Sequence, residues 1–264
     1  MITLVFIISI IIYKNNHPKK EIHLSLDDVI LSLEDISNQN YSSITGNDIF
    51  STLPFFHTLF GCKFDLYVYK QNHKFDIRDT TIQFKEEFEQ YSSWLKFGYH
   101  ATTESFDTIT ACRDLKKNMP IVQNEITRFA GIKSLANRVR LHGYWANDQM
   151  LCCLYKCGVK GLLSADDSRI SYNLSPNEVS HLSNNETIYH KLSTIDDTSG
   201  KAKMIRIDKT DYRLESMSFS DCLSIPFQED PYLVVFTHEW AFHSKKSHIK
   251  MFFLLISCWL NNYL

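Results

Sequence analysis

Apolar positions along the chain switch repeatedly between a period of two and a period of about 3.6. Residues 23 to 28, HLSLDD, alternate as a strand does and end in two adjacent carboxylates, Asp27 and Asp28, with no basic residue beside them. Asn47 to Phe60 has helical spacing and closes at Gly61, after which Lys63 to Tyr69 (KFDLYVY) alternates again. Thr81 to Tyr91 puts Phe84, Phe88 and Tyr91 on one helical face, and Trp94 to His100 (WLKFGYH) is strand-like. Ile109–Leu115 and Ile121–Phe129 predict two helices broken at Pro120, the second closed by Gly131.

The same alternation continues downstream. Arg138 to Tyr144 (RVRLHGY) predicts a strand, Asn147 caps a helix that ends at Gly158, and Val159 to Ala165 (VKGLLSA) is another apolar strand. Residues 168 to 221 are polar and weakly periodic, which predicts short strands or an elaborated loop. Tyr232 to Thr237 (YLVVFT) is an apolar strand, and Ile249 to Leu260 a closing helix buried on most of its circumference. Strands alternating with helices over this length predict an α/β fold, either a (β/α) barrel or an open parallel sheet.

A chain of 264 residues, 44% apolar and 22% charged, is long enough to bury one sizeable core. Its 28 basic against 30 acidic residues leave a formal charge of −2, which lacks the basic footprint of a nucleic-acid binder. The seven cysteines are odd in number and sit mostly in apolar runs, so structural thiols are expected rather than a disulfide framework. Cys153 and Cys157 stand four apart on a helix, too few ligands for zinc by themselves. Residues 2 to 12, ITLVFIISIII, are too few to span a bilayer and lack both a basic n-region and a small-residue cleavage site. Residues 1–20 read as a leader, either membrane-targeting or structural, and 21–264 as one domain. Membrane association, or export, rests on residues 2–12 alone; without such a role the chain reads as cytoplasmic.

Each predicted strand ends in groups able to do chemistry: Asp27 and Asp28; His100 with Glu104 beyond it; Arg140 and His142; Asp166 and Asp167; His238. In parallel α/β folds the C-terminal ends of strands meet on one face, where sites are built. Taken singly, such residues are ordinary turn caps, packed histidines or surface ion pairs. THEW at 237–240 begins like a zincin motif, but His243 stands one position too far from Glu239.

The ordered set LSLDD, HATTE, RLHGYW, LLSADD and FTHEW resembles the polysaccharide deacetylase (NodB-homology, carbohydrate esterase family four) superfamily, in a divergent deacetylase-like branch. The resemblance runs from about residue 22 to the end. It implies a distorted barrel of about seven parallel strands, and metal-dependent removal of acetyl groups from N-acetylated sugars. It further implies Asp27 as general base and Asp28 and His100 as ligands of one divalent ion, usually zinc, with cobalt, manganese or nickel as alternatives. The family's second histidine is replaced by Glu104, so either Glu104 or His142 completes the ligand set. By the same resemblance Arg140 holds the base, Asp166 or Asp167 orients His238, and His238 is the general acid. Tyr144, Trp145 and Trp240 would line the sugar groove. RLHGYW lacks the family's proline after the arginine. Two other readings follow from these departures: an inactive barrel that binds carbohydrate, and a metal hydrolase acting on another small C–N amide.

Overall fold

The computed structural model describes residues 18–105, 107–184, 187–192, 203–225 and 231–264. The apolar run 2–12 therefore lies outside the described residues. Nine strands are described: β1 (Glu21–Val29), β2 (Phe64–Tyr69), β3 (Leu95–Ala101), β4 (Arg138–Val139), β5 (Gly161–Leu163), β6 (Ile188–Lys191), β7 (Met204–Asp208), β8 (Tyr212–Arg213) and β9 (Tyr232–His238). They form two sheets, in the orders β3-β2-β1-β9-β8 and β4-β5-β7-β6. Every pairing between these strands is parallel except β6 with β7. The sheets meet where Phe97 of β3 bridges Leu135, just ahead of β4. Gly98 makes that approach possible, because a Cβ there would lie 2.9 Å from Val139 Cγ1. The result is the expected α/β architecture, a curled parallel sheet with helices outside.

The central strands β2 and β9 bury nearly every residue, and β1 buries residues 24–27 and Val29, as strands covered on both faces do. Their apolar side chains, among them Leu24, Leu26, Leu66, Val68, Val234 and Val235, belong to one core with the helices packed outside. The helix Asp48–Phe60 starts where the Asn47 side chain accepts from the N–H groups of Ile49 and Phe50, and stops at Gly61, whose φ of 70° is left-handed.

Pro120 does not break its segment. One helix runs Thr108–Ala130 with Pro120 inside, on the exposed side, where water can reach the Lys116 carbonyl that loses its amide partner. The strand expected over Arg138–Tyr144 is only Arg138–Val139, because Gly143 and Tyr144 take left-handed conformations (φ 73° and 54°) in a tight turn. The polar region 168–221 carries the helix Pro176–Ser183 and the strands β6, β7 and β8. The last helix is longer than expected, Lys245–Leu260, capped by Ser244, and a short helix, Glu239–Phe242, precedes it. Among the described residues no disulfide joins the cysteines.

One buried carboxylate fixes how β1 leaves the sheet. Glu239, 1% exposed, accepts hydrogen bonds from the backbone N–H groups of Ile30 (2.9 Å), Leu31 (2.8 Å) and Ser32 (2.7 Å). These are orphan amides at the start of the helix Leu31–Asn38, whose own N-cap residue, Ile30, has no side chain able to satisfy them. A residue that follows β9 thus caps the helix that follows β1, and charge complements the helix dipole. Replacing Glu239 with alanine strands three buried donors, and is expected to lower the unfolding free energy by about 3 kcal/mol or more, measured by denaturant titration.

Candidate metal and acid–base site

The two aspartates that end β1 diverge because the backbone turns between them. Asp28 has φ 62°, a left-handed conformation that is uncommon outside glycine and tolerated best by Asp and Asn. The β1–β2 register shifts at this point, between Leu26 and Val29. The turn sends Asp27 into the barrel interior and Asp28 into a surface cleft, so the like charges acquire separate partners.

Asp27 is 1% exposed, and its Oδ1 accepts from Arg140 Nη1 at 2.9 Å. Arg140, wholly buried, also donates to Ser25 Oγ (2.9 Å) and Thr210 Oγ1 (3.0 Å), and its guanidinium lies 4.2 Å from the Phe236 ring centroid. Asp27 Oδ2 is buried with no hydrogen-bond partner among the described residues. One oxygen of this carboxylate is therefore anchored and the other is available as a proton acceptor.

Asp28 Oδ1 lies 3.1 Å from His100 Nε2 and 3.7 Å from His142 Nδ1. It also accepts from the Tyr69 hydroxyl at 2.5 Å. His100 Nδ1 donates to the Arg140 carbonyl at 2.6 Å, which fixes the ring and leaves Nε2 facing Asp28. His142 Nδ1 stands 3.3 Å from that same Nε2 and 3.0 Å from the Tyr69 oxygen. The potential ligand atoms of Asp28, His100 and His142 all fall within 4.8 Å of one another. Burial disfavours the Asp28 charge, but hydrogen bonds from His100 and His142, the charge of His100, and the Tyr69 hydroxyl hold its carboxyl far below the usual carboxylate range.

A divalent cation fits this arrangement. One carboxylate oxygen and two imidazole nitrogens converge on a point with few protons to share among them, and an oxygen–nitrogen–nitrogen set is a known zinc donor set. The Arg140 carbonyl fixes the His100 tautomer as metal-binding histidines require. Glu104 is not part of the cluster: it is exposed at the cleft rim, with Oε1 3.5 Å from His73 Nε2. The nitrogen of His142 stands in the position for which Glu104 was the other candidate.

His238 pairs in register with Asp27 across β1 and β9. Its Nδ1 donates to Glu215 Oε1 at 2.5 Å, and its Nε2 points to Asp28 Oδ2 at 3.9 Å. Glu215 therefore holds the place expected for Asp166 or Asp167. Asp166 instead accepts both guanidinium hydrogen bonds of Arg213 (2.7 and 3.0 Å), and Asp167 pairs with Arg169 at 2.8 Å. Burial opposes charge on the His238 ring, but the Glu215 hydrogen bond and the charges of Asp27, Glu215 and Asp28 outweigh it and push the imidazole above its ordinary 6.5.

A cavity of about 330 Å³ opens onto Asp28 and Tyr69 and is bounded by Leu31, Asn72, Glu104 and Trp240. Trp240 is 61% exposed and stacks on the His238 ring (centroids 5.4 Å apart, planes 19° apart), an apolar platform at the mouth of the site. Trp145 lines a separate, much smaller cavity behind His100 and His142. Tyr144 is buried, its ring 4.7 Å from the Arg169 guanidinium, and lines neither cavity. It packs the wall rather than the groove. No motif marks Tyr69, Glu215 or Thr210, all of which touch the site; only the apolar alternation around Tyr69 is visible in the sequence.

No protein-family model and no curated protein matches the sequence. Among solved structures, the fold is similar to a protein of Mycobacterium smegmatis described as a putative polysaccharide deacetylase (10% identity, TM-score 0.51, covering 92% of this chain and 85% of the other). It is also similar to a peptidoglycan N-acetylglucosamine deacetylase (10% identity, TM-score 0.50, covering 91% and 82%). A 4-alpha-glucanotransferase from Thermococcus litoralis aligns with 11% identity and a TM-score of 0.54, over 94% of this chain and 37% of the enzyme. At these identities the likeness is one of fold: the chain has the (β/α)-barrel-like fold of the polysaccharide deacetylases.

The Glu215 contact has a direct readout. In metal-free protein, the His238 ring is expected to titrate above 6.5 and to move downward in Glu215→Gln, followed by NMR of the imidazole carbon-bound protons. The protonated ring stabilises the fold fully below pH 6.5, and this contribution fades as pH rises through the raised value.

Proposed function

We propose that the protein is a metal-dependent hydrolase that removes acetyl groups from an N-acetylated sugar. The observation that carries this reading is the meeting of the Asp28, His100 and His142 donor atoms beside an anchored carboxylate and an anchored imidazole on adjacent strands. The fold likeness to polysaccharide deacetylases agrees with it but supplies no residue roles.

Asp28, His100 and His142 would hold the ion, with zinc the best match to one oxygen and two nitrogen donors. Bound there, a divalent ion polarises an amide carbonyl and lowers the pKa of a water molecule. The remaining work falls to side chains of this chain. Asp27, clamped through Oδ1 by Arg140, takes the proton from the attacking water on Oδ2. His238, with Nδ1 committed to Glu215, carries a proton on Nε2 and delivers it to the departing amine. Its raised pKa favours the protonated ring. Trp240 offers a face on which a sugar ring can stack, and the cleft of about 330 Å³ matches the low end of ordinary ligand pockets. The substrate class is thus a carbohydrate bearing an N-acetyl group.

Tyr69 supports a second reading. Its hydroxyl engages both Asp28 and His142, so the cluster is also satisfied as a hydrogen-bond network without an ion. A barrel of that kind would bind carbohydrate without hydrolysing it.

The two readings diverge in a metal titration. The proposal expects one zinc per chain by calorimetry, lost in Asp28→Ala and His142→Ala but retained in Glu104→Ala. No stoichiometric ion in the wild-type protein, together with retained glycan binding, would favour the second reading. With metal bound, acetate release from N-acetylglucosamine oligomers is expected to fall by about 10²-fold or more in Asp27→Asn and in His238→Ala. If oligomers fail while another small acetamide is cleaved, the hydrolase stands and its sugar specificity falls.

A further inference from the structure

One flank of the barrel carries an apolar face built by three helices. On Lys245–Leu260 the outward positions include Ile249, Phe252 and Phe253, at the three- and four-residue spacing of a single helical face. Ile249 is 48% exposed; on Asp48–Phe60, Phe55 is 53% and Leu59 51% exposed. Aromatic contacts join the helices into one surface. The rings of Phe60 and Phe252 lie 5.8 Å apart, and Phe253 meets Phe219 of the helix Phe219–Ser224 at 6.0 Å. Exposed apolar side chains scattered singly need no explanation, but a contiguous multi-helix face does.

The position of this face relative to the chain's apolar run identifies its occupant. Lys20 N–H donates to the Asn262 carbonyl at 2.9 Å, and the Asn262 side-chain amide donates to the Pro18 carbonyl at 3.2 Å. Residue 18 thus sits at the C-terminal end of the helix Lys245–Leu260. Upstream of it, residues 13–17 (YKNNH) connect to the apolar run 2–12. The six steps from residue 18 to residue 12 reach at most about 21 Å, so the run is tethered at the end of the helix that carries the face. Lys19 and Lys20 stand at one end of that helix and Lys245 and Lys246 at the other.

We propose that this three-helix face rests on a lipid bilayer containing anionic headgroups. A run of eleven residues, nine of them apolar, is too short to span a bilayer, for which about 20 are needed. A short apolar insertion alone binds marginally and reversibly, so stable attachment takes a second contact. The face supplies apolar area for the acyl boundary, and the lysines at either end reach the headgroups. A bilayer also suits the shape, because the residues come from three helices on a broad outer flank.

Vesicle flotation of the full chain tests this, with phosphatidylcholine alone and mixed with phosphatidylglycerol. The wild-type protein is expected to float with the mixed vesicles. Phe55→Asp combined with Ile249→Asp is expected to cut the bound fraction roughly tenfold with an unchanged circular dichroism spectrum. If the aspartates disturb folding, Leu59→Ser with Ile249→Ser is expected to give a smaller loss in the same direction. Removal of residues 2–12 should weaken flotation without abolishing it. The proposal is overturned if the wild-type protein does not float, or if the face variants float as well as it does. Flotation that rises when residues 2–12 are removed would mean that the run itself covers the face, and would also overturn it. So would a dimer in solution that the face variants convert to monomers.

Discussion

A positive charge in the middle of the barrel organises this protein. Arg140 is wholly buried, and its guanidinium bonds to Ser25 and Asp27 on β1 and to Thr210 between β7 and β8, while lying over Phe236 of β9. Thr210 is itself bonded to Ser164, which follows β5. The two sheets are thus tied through one side chain. Burying such an ion is costly unless its hydrogen bonds are made, and removing either partner leaves the other charge stranded. The pair is therefore better understood as a device that fixes Asp27 in one position than as a source of stability. Arg140 acts a second time through its carbonyl, which orients His100. The Asp27 carboxylate and the His100 ring are set by two ends of the same residue.

Much of this was legible in the sequence, and the reasons differ by residue. Strands β1, β2, β3 and β9 are long and apolar enough that their periodicity survives burial, and Asn47, Gly61 and Asn147 mark helix ends by chemistry that does not depend on tertiary context. The grouping of Asp27, Asp28, His100, Arg140, His142 and His238 followed from placing each at the end of a strand. What failed was local. Pro120 reads as a break only if the carbonyl it orphans lacks water, and on the exposed side of a long helix it does not. RVRLHGY alternates like a strand, yet left-handed residues at 143 and 144 end it early.

The partner of His238 was unreadable for another reason. Glu215 lies in the short turn Leu214–Ser216, within a polar region without strong period, and nothing in its surroundings distinguishes it from other surface glutamates. Asp166, the better-looking candidate, was already committed to Arg213. Sequence spacing identifies groups that can reach a site, whereas competition among cations decides which of them do. Tyr69 escaped for the opposite reason, since a tyrosine within an apolar strand reads as core.

The register of β1 against β9 has a geometric consequence. Asp27 and His238 face each other across one parallel pairing, so their backbones are separated by the spacing of neighbouring strands, about 4.8 Å. That interval is a lattice constant of the sheet and cannot be adjusted by changing either side chain. Only a slip of one strand past the other would alter it, and a slip of one residue would turn every inward side chain of the strand outward. The backbone spacing beneath the Asp27 carboxylate and the His238 imidazole is thereby protected by the whole hydrophobic core.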